Sequence, residues 1–390
     1  MDTACDILVA GGGVSGVPAA VAAARAGARV VLVEKAVSLG GAGVAALHRS
    51  ICGLYLNGPA EPKETLHPGL PCEIVARLKA VSPGSHPQRA GRVWVFPFET
   101  THFGAVYEAL ARGEKNLTVL RSSAVDSVDC DGKRINAVTL RTPGKLSTFR
   151  PSAVIDATGA GEVIRLSGAP FELAPSPERQ SGGCTVHLDG LVGDRQLLGV
   201  RIAWILSQIS ASESWPLFAG FTAGPAPHDG FCKFTLPPAL DGLDSAALAE
   251  RIGRLHALLA AQMPELARSR ILAQSPRMEP EGLRLAGQWE LDEASILAAR
   301  KFPDGVARSA WPVEFWDPSA AAPGYAYPPD GDYAEIPRRC LRSRSIANLF
   351  AAGRCISASS RALAATRVMG TCMALGEAAG CEAARFTQPP

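Results

Sequence analysis

The sequence of 390 residues predicts an α/β fold around a mostly parallel sheet, and three adjoining features near its start carry that expectation. Cys5 to Ala10 is a short apolar run with residues that favour extended backbone, the composition of a strand covered on both faces. Gly11, Gly13 and Gly16 follow at once in GxGxxG spacing and open an alanine-rich stretch, Val17 to Ala26, that reads as a helix stopped by Gly27. A second strand, Arg29 to Glu34, closes on an acidic residue.

Each part of this strand, turn, helix and strand has a physical task. Gly11 permits a tight turn, Gly13 lets a pyrophosphate approach backbone N–H groups beside Val14 and Ser15, and Gly16 lets the helix lie close to the sheet. The helix N-terminus presents partial positive charge to the phosphates. Glu34, with Lys35 after it, stands where a carboxylate accepts hydrogen bonds from ribose hydroxyls. A lone GxGxxG is weak, because glycine-rich loops also serve as ordinary turns; in this order and context it marks a Rossmann-like dinucleotide site. At this point NAD and FAD both fit.

Bulk properties narrow the function further. Lys and Arg number 39 against 37 Asp and Glu, for a formal charge of +2, and no basic run is interleaved with aromatics, which argues against a nucleic-acid partner. The length points to two domains, and 47% hydrophobic with 19% charged residues is the composition of a globular enzyme. Met1 to Asp6 run straight into the first strand, so no secretion leader is expected, and the apolar stretches Val14 to Ala28 and Ala42 to Leu47 are too small in side chain and too interrupted for a membrane span. The ten cysteines form no CxxC pair and no Cys/His cluster at ligand spacing, so we expect no metal, a reducing cytoplasmic setting and thiols packed as small apolar groups.

Leu39-Gly40-Gly41-Ala42-Gly43 is a second glycine cluster, where a backbone must pass close to a bulky ligand. The arrangement resembles the two-dinucleotide-binding-domain flavoproteins, the superfamily of glutathione reductase and fumarate reductase flavoproteins. That resemblance implies FAD, held non-covalently, with Gly40, Gly41 and Ala42 passing the pyrophosphate and flavin. It also implies strands at Leu117 to Arg121 and Ser123 to Asp129, with Val125 meeting the adenine through its backbone, and a return of the chain to the nucleotide at Ala157, Thr158 and Gly159, after the apolar strand from Ala153. Asn348 to Ser357 and Arg367 to Gly380 resemble the C-terminus of the FAD-dependent oxidoreductase family related to fumarate reductase and succinate dehydrogenase flavoproteins, and Ile336 to Leu341, Trp311 to Glu314 and Arg277 to Gly287 resemble it too. Leu54 to Gly91 shows no such likeness. The likeness places Gly353, Arg354, Met369, Gly370, Thr371 and Cys372 at the cofactor. Small residues at Gly370, Ala374, Ala378 and Ala379 would let a helix start beside the isoalloxazine, where its dipole favours the negative charge gathered on reduction.

The expected layout is interleaved. Residues 1–170 and 335–390 form a three-layer FAD-binding domain, and residues 171–334 form an inserted α+β substrate or cap domain. Within the insertion Cys184 to Leu188 reads as a strand and Ser245 to Met263 as a helix, while Pro216 to Gly230 and Pro318 to Gly331 read as loops or lids.

Such a chain is expected to be an oxidoreductase that moves hydride or electrons between a small organic substrate and FAD, with the protein supplying pocket, orientation and a proton carrier. Arg354 and Arg367 are candidates to bind an anionic or carbonyl-bearing substrate near the ring. His48 is a candidate base or, alternatively, a covalent attachment point; Cys52 beside it reads as a buried thiol. His187, Arg277 and Arg284 are candidate substrate contacts, His102 a weaker one, and Trp215, Phe218, Phe221, Phe231 and Phe234 candidate walls of an apolar site. Two other classes remain open. Flavin monooxygenases of the aromatic-hydroxylase type usually carry a Gly-Asp pair where this chain has Gly353-Arg354, and a flavin-binding electron-transfer or assembly protein would have no substrate of its own. The sequence leaves the electron donor or acceptor and any homo-oligomer undetermined.

Overall fold

The computed structural model describes residues 5–175, 179–195, 197–213, 218–236, 242–317 and 323–388. At its centre is a parallel sheet of five strands. The first strand, β1 (Ile7–Ala10), leads into helix α1 (Gly16–Arg25) and then strand β2 (Val30–Val33). Across the sheet the order is Leu349–Ala351, Ala153–Asp156, β1, β2 and Leu117–Leu120. Ile7 stands opposite both Ala153 and Val30, and Ala10 opposite Asp156 and Val33.

Successive side chains of a strand point to opposite faces, and here both faces are covered. Ile7, Val9, Val30 and Leu32 pack against a helical layer made of α1, Thr100–Arg112 and the C-terminal helix Met369–Thr387. Leu8, Ala10, Val31 and Val33 pack against Ile135, Val138, Leu140 and Phe149 of an antiparallel meander, Ala124–Cys130, Ile135–Thr142 and Lys145–Phe149. Helices, parallel sheet and meander make three layers, which is why the strands read as unbroken apolar runs.

The C-terminal helix lies on α1 almost backbone to backbone. A side chain at Gly376 would strike the carbonyl oxygen of Ser15, and one at Gly380 that of Ala19. Gly376 and Gly380 therefore serve helix–helix packing. Gly370, expected at the flavin, instead packs on the backbone of Gly53 and donates its N–H to the Cys52 carbonyl at 2.8 Å.

A second sheet is antiparallel, in the order Phe218–Ala223, Gly230–Leu236, Gly182–Asp189 and Arg270–Gln274. With helices Leu198–Glu213 and Ser245–Gln262 it encloses its own apolar cluster, including Val186, Phe234, Ile202 and Leu255. Asp244 caps the second of these helices, accepting the Ala247 N–H at 2.8 Å. Cys184, Val186, Cys232 and Phe234 face that cluster, so alternation turns Thr185, Phe231, Lys233 and Thr235 to the opposite face.

Two expected loops contain strands. Within Pro216 to Gly230, Phe218–Ala223 pairs with the strand Gly230–Leu236, Phe221 and Thr222 outweighing the neighbouring glycine and alanine. Within Pro318 to Gly331, Gly324–Ala326 pairs with Val313–Phe315. Trp215 lies outside the described residues. Among the described residues no helix is long and apolar enough to cross a membrane.

Candidate functional site

The turn after β1 is built for close approach. Gly11 has φ +96°, and a Cβ there would lie 2.6 Å from the Ala157 carbonyl oxygen on the adjacent strand's exit. Gly13 differs, since the nearest atom to a Cβ built on it is 3.8 Å away. Glu34 is 8% exposed and spans the turn. Its Oε2 accepts the Gly12 N–H at 2.6 Å and its Oε1 the Ala36 N–H at 2.7 Å.

On the neighbouring strand the fully buried Asp156 does similar work. Its carboxylate accepts the Thr158 N–H at 3.0 Å, the Thr158 hydroxyl at 2.7 Å and the Ile164 N–H at 3.0 Å. Burial raises its pKa and these bonds oppose the rise. The carboxylate thus fixes the Ala157-Thr158-Gly159 turn against the glycine turn of β1.

A cavity of about 550 Å³ joins these turns to a cluster of titratable side chains. At one end it is lined by Gly11, Gly13, Val14, Ser15, Glu34 and Lys35. Gly41, Ala42, Ala157, Thr158 and Gly159 follow along its walls, and His48, Cys52, Lys233, Glu314, Arg354 and Arg367 line the other end with Met369 and Cys372.

In that far half, Glu314 accepts the indole N–H groups of Trp311 and Trp316, each at 3.1 Å. Arg367 donates from Nη2 to the Glu314 carbonyl at 3.1 Å, while its buried Nε has no partner among the described residues. Lys233 Nζ stands 4.5 Å from the centre of the Trp316 ring. Burial lowers the pKa of both cations, and Glu314 opposes the fall in each. Burial, then the charges of Lys233 and Arg367, push His48 down to about 4, so its imidazole is neutral near neutral pH. Burial first, and the charge of Glu314 next, push the Cys52 thiol up to about 12, and burial pushes Cys372 to about 12 as well. Both remain thiols, poor nucleophiles. Arg354 donates to the Glu279 carbonyl, and its guanidinium lies against the Gly159 turn.

Family comparison decides the cofactor. The profile described as FAD dependent oxidoreductase matches residues 6–231 and 232–388. The chain belongs to that family. It is an FAD-binding flavoprotein and an oxidoreductase enzyme. No curated protein matches it. Among solved structures it is similar to a geranylgeranyl bacteriochlorophyll reductase-like protein from Thermoplasma acidophilum, at 13% identity and TM-score 0.46 over 98% of this chain and 77% of that one. It is also similar to a triple mutant of the flavin-dependent brominase Bmp2, at 10% identity and TM-score 0.49 over 98% and 80%. A third likeness is to the anhydrotetracycline hydroxylase OxyS from Streptomyces rimosus, at 14% identity and TM-score 0.47, where the match covers 73% of this chain and 54% of the hydroxylase.

Several residues expected at the site of this flavoenzyme do not line the cavity. Gly16 packs under Gly11, Gly353 packs on Ser15, and Gly40 donates its N–H to the Gly12 carbonyl at 2.9 Å, so these three shape the turn from behind. Gly370 and Thr371 are buried in the first turn of the C-terminal helix, and Val125 lies in the meander opposite Leu140. His187 stacks on Phe231 at 4.4 Å with Nε2 3.5 Å from Asp229. Arg277 pairs with Glu279 beside Gly182, and Arg284, 5% exposed, sits 3.3 Å from the buried Glu281. His102 shares a 2.6 Å hydrogen bond with Ser82.

Two residues that sequence reasoning passed over stand in the cavity. Lys233 is the lone charge in the strand Gly-Phe-Cys-Lys-Phe-Thr-Leu, and a single lysine inside an apolar strand was the signal that marks it. Glu314 lies in the Trp311 to Glu314 stretch, where its two tryptophan partners are sequence neighbours.

Proposed function

We propose that FAD lies along this one cavity, non-covalently, and that the enzyme moves hydride or electrons between it and a small organic substrate held at the Lys233, Glu314 and Arg367 end. The supporting observation is the cavity's continuity from the glycine turn to a buried titratable cluster. The residues fit the cofactor: Gly13 has open space before it, and the helix N-terminus behind it favours phosphate. Each Glu34 oxygen already holds one backbone N–H and keeps a further lone pair for a ribose hydroxyl.

Bound FAD supplies the two-electron chemistry. The chain's own side chains do the rest. Arg354, tied to the Glu279 carbonyl, presents fixed positive charge where negative charge develops. His48 is a neutral imidazole whose free ring nitrogen can accept a proton, as a weak base that hands it on readily. Trp316 and Phe231 wall the far half.

In this reading residues 1–170 and 335–390 form the FAD-binding domain and residues 171–334 a substrate or cap domain, as in flavoproteins related to fumarate reductase. The separate apolar cluster around the antiparallel sheet supports that division. The test is anaerobic mixing of the yellow protein with candidate organic donors. Bleaching of the flavin by one of them supports the reading, whereas reduction only by a protein or an artificial reductant, across a broad metabolite panel, turns it into an electron carrier. FAD should leave the chain on denaturation; colour retained by the precipitate would overturn non-covalent binding and implicate His48.

A further inference from the structure

Four cations line the far half of the cavity, and three of them, Lys233, Arg354 and Arg367, have no carboxylate ion pair among the described residues, whereas Arg49 is paired with Glu99. The nearby acids Glu279 and Glu281 are already paired, with Arg277 and Arg284. Glu314 is the one carboxylate left to oppose the three among the described residues lining this end, and its oxygens are taken by indole N–H groups. Positive charge is in surplus in a partly buried, low-dielectric place, where an unbalanced cation is costly.

Hydrogen bonding shows where that surplus is unanswered. Lys233 Nζ makes no hydrogen bond among the described residues and meets only the face of Trp316, at 4.5 Å. Arg367 Nε is buried without an acceptor. The electrostatic influence of Arg367 on Lys233 puts the two in one neighbourhood, with Glu314 and Cys52 beside them and His48 within reach of both charges. Lys233 Nζ and Arg367 Nε are two unanswered donors of one sign on side chains that line the same cavity, and together they match an acceptor-only group. Cofactor charge does not answer them: an oxidised isoalloxazine is neutral, and the pyrophosphate belongs at the α1 N-terminus on the reading above.

The geometry points to an anion-binding subsite made by the Lys233 ammonium and the Arg367 Nε–H, which takes the carboxylate of a small organic acid whose apolar body lies against Trp316 and Phe231. Glu314 tunes the preference. Against the two cations of the subsite its negative charge leaves one net positive charge, which suits a monoanion rather than a dianion, and the indole bonds hold it in place. Alternation explains why Lys233 is available: it points away from the apolar cluster that Cys232 and Phe234 enter, between Gly220 and Thr185, neither of which has the bulk to cover it.

This subsite rests on the proposed function for its meaning, but it is tested separately. The oxidised, FAD-loaded protein is titrated with benzoate and acetate, each against its uncharged amide, by calorimetry and by the flavin absorption band. Benzoate should bind saturably and benzamide should not. Lys233→Met should weaken benzoate about 10- to 150-fold, the span of one charge-assisted hydrogen bond, while Lys233→Arg keeps most of the affinity, and both variants keep FAD and a normal melting curve. Calorimetric binding with these properties but an unmoved flavin band supports the subsite and overturns the placement of the ring. Equal binding of acid and amide, no binding of either acid, or unchanged affinity in Lys233→Met overturns the subsite, as does loss of FAD from Lys233→Met with FAD kept by Lys233→Arg, which makes the ammonium a cofactor ligand.

Discussion

Replacing Glu34 by alanine separates two roles that one carboxylate performs. The side chain accepts the buried Gly12 N–H at 2.6 Å, and alanine leaves that donor without a partner, at a cost of about 1–3 kcal/mol of stability. The second bond, from the exposed Ala36 N–H at 2.7 Å, is readily replaced by water and adds little. The FAD-free protein should therefore lose about 1–3 kcal/mol in urea unfolding. FAD affinity, read from quenching of flavin fluorescence, should fall by about 10- to 150-fold through the lost contact to the ribose. Glu34→Gln keeps one oxygen for Gly12 but gives up the charge, so it should retain most of the stability and still bind FAD more weakly. An alanine variant as stable as the parent without FAD would refute the clamp on the glycine turn. Lost stability with unchanged affinity would leave the clamp and remove the ribose contact.

His67 accepts the Arg308 N–H on Nε2 at 2.7 Å, and burial, with the charge of Arg308, lowers its pKa to about 4 from the 6.5 of an ordinary imidazole. Because the folded value lies below the unfolded one, stability is complete above about pH 6.5 and falls as pH drops toward 4, by about 3 kcal/mol in all. His67→Gln, which keeps an acceptor for Arg308 but cannot titrate, should flatten urea stability measured across that window; an unchanged slope would clear His67. Arg354→Ala should slow anaerobic flavin reduction on the order of 100-fold while FAD stays bound, and near-parental rates would remove this guanidinium from the reaction. Gly376→Ala drives a methyl into the Ser15 carbonyl, so it should lower the melting temperature and also weaken FAD, because Ser15 borders the nucleotide turn; a variant that melts and binds normally would contradict the backbone contact.

The parallel sheet was legible because its strands are covered on both faces: Ile7 to Ala10, Val30 to Val33 and Ala153 to Asp156 have no polar alternation to confuse with a surface strand. The glycine turn was legible for a related reason, since the acid that closes β2 and the glycines that follow β1 meet in space only if the strands pair in parallel. The C-terminal helix was found, but the neighbour of Gly370 was not legible: it packs on the backbone of Gly53. Gly376 and Gly380 answer to the carbonyls of α1, and a sequence records only that something comes close, not whether it is a ring or a helix. The strand Phe218–Ala223 was hidden because its glycine and alanines lower β-propensity and its pairing with Gly230–Leu236 comes from tertiary context.

The site divides along the same line. Its nucleotide half is local, set by residues within a few positions of a strand end, so a motif can report it. The proposed substrate half is assembled from Lys233 on one sheet, Glu314 on a hairpin and Arg367 at the foot of the C-terminal helix, and no spacing in the chain connects them. What a sequence does carry is the misfit of each residue to its own element. A lysine flanked by Phe231, Cys232 and Phe234 has no reason to lie in a buried strand for stability, because desolvating its charge opposes folding. Glu314 and the Trp316 ring meet part of that cost, and an anion in the cavity would meet the rest. Arg284 shows the contrast: it is more deeply buried and its Nε also lacks an acceptor among the described residues, yet it pairs with Glu281 at 3.3 Å and does not line the cavity. An unpartnered buried donor alone therefore does not mark a functional cation; what sets Lys233 and Arg367 apart from Arg284 is a place in the cavity wall and no carboxylate ion pair among the described residues, and that is the ground for the proposed subsite.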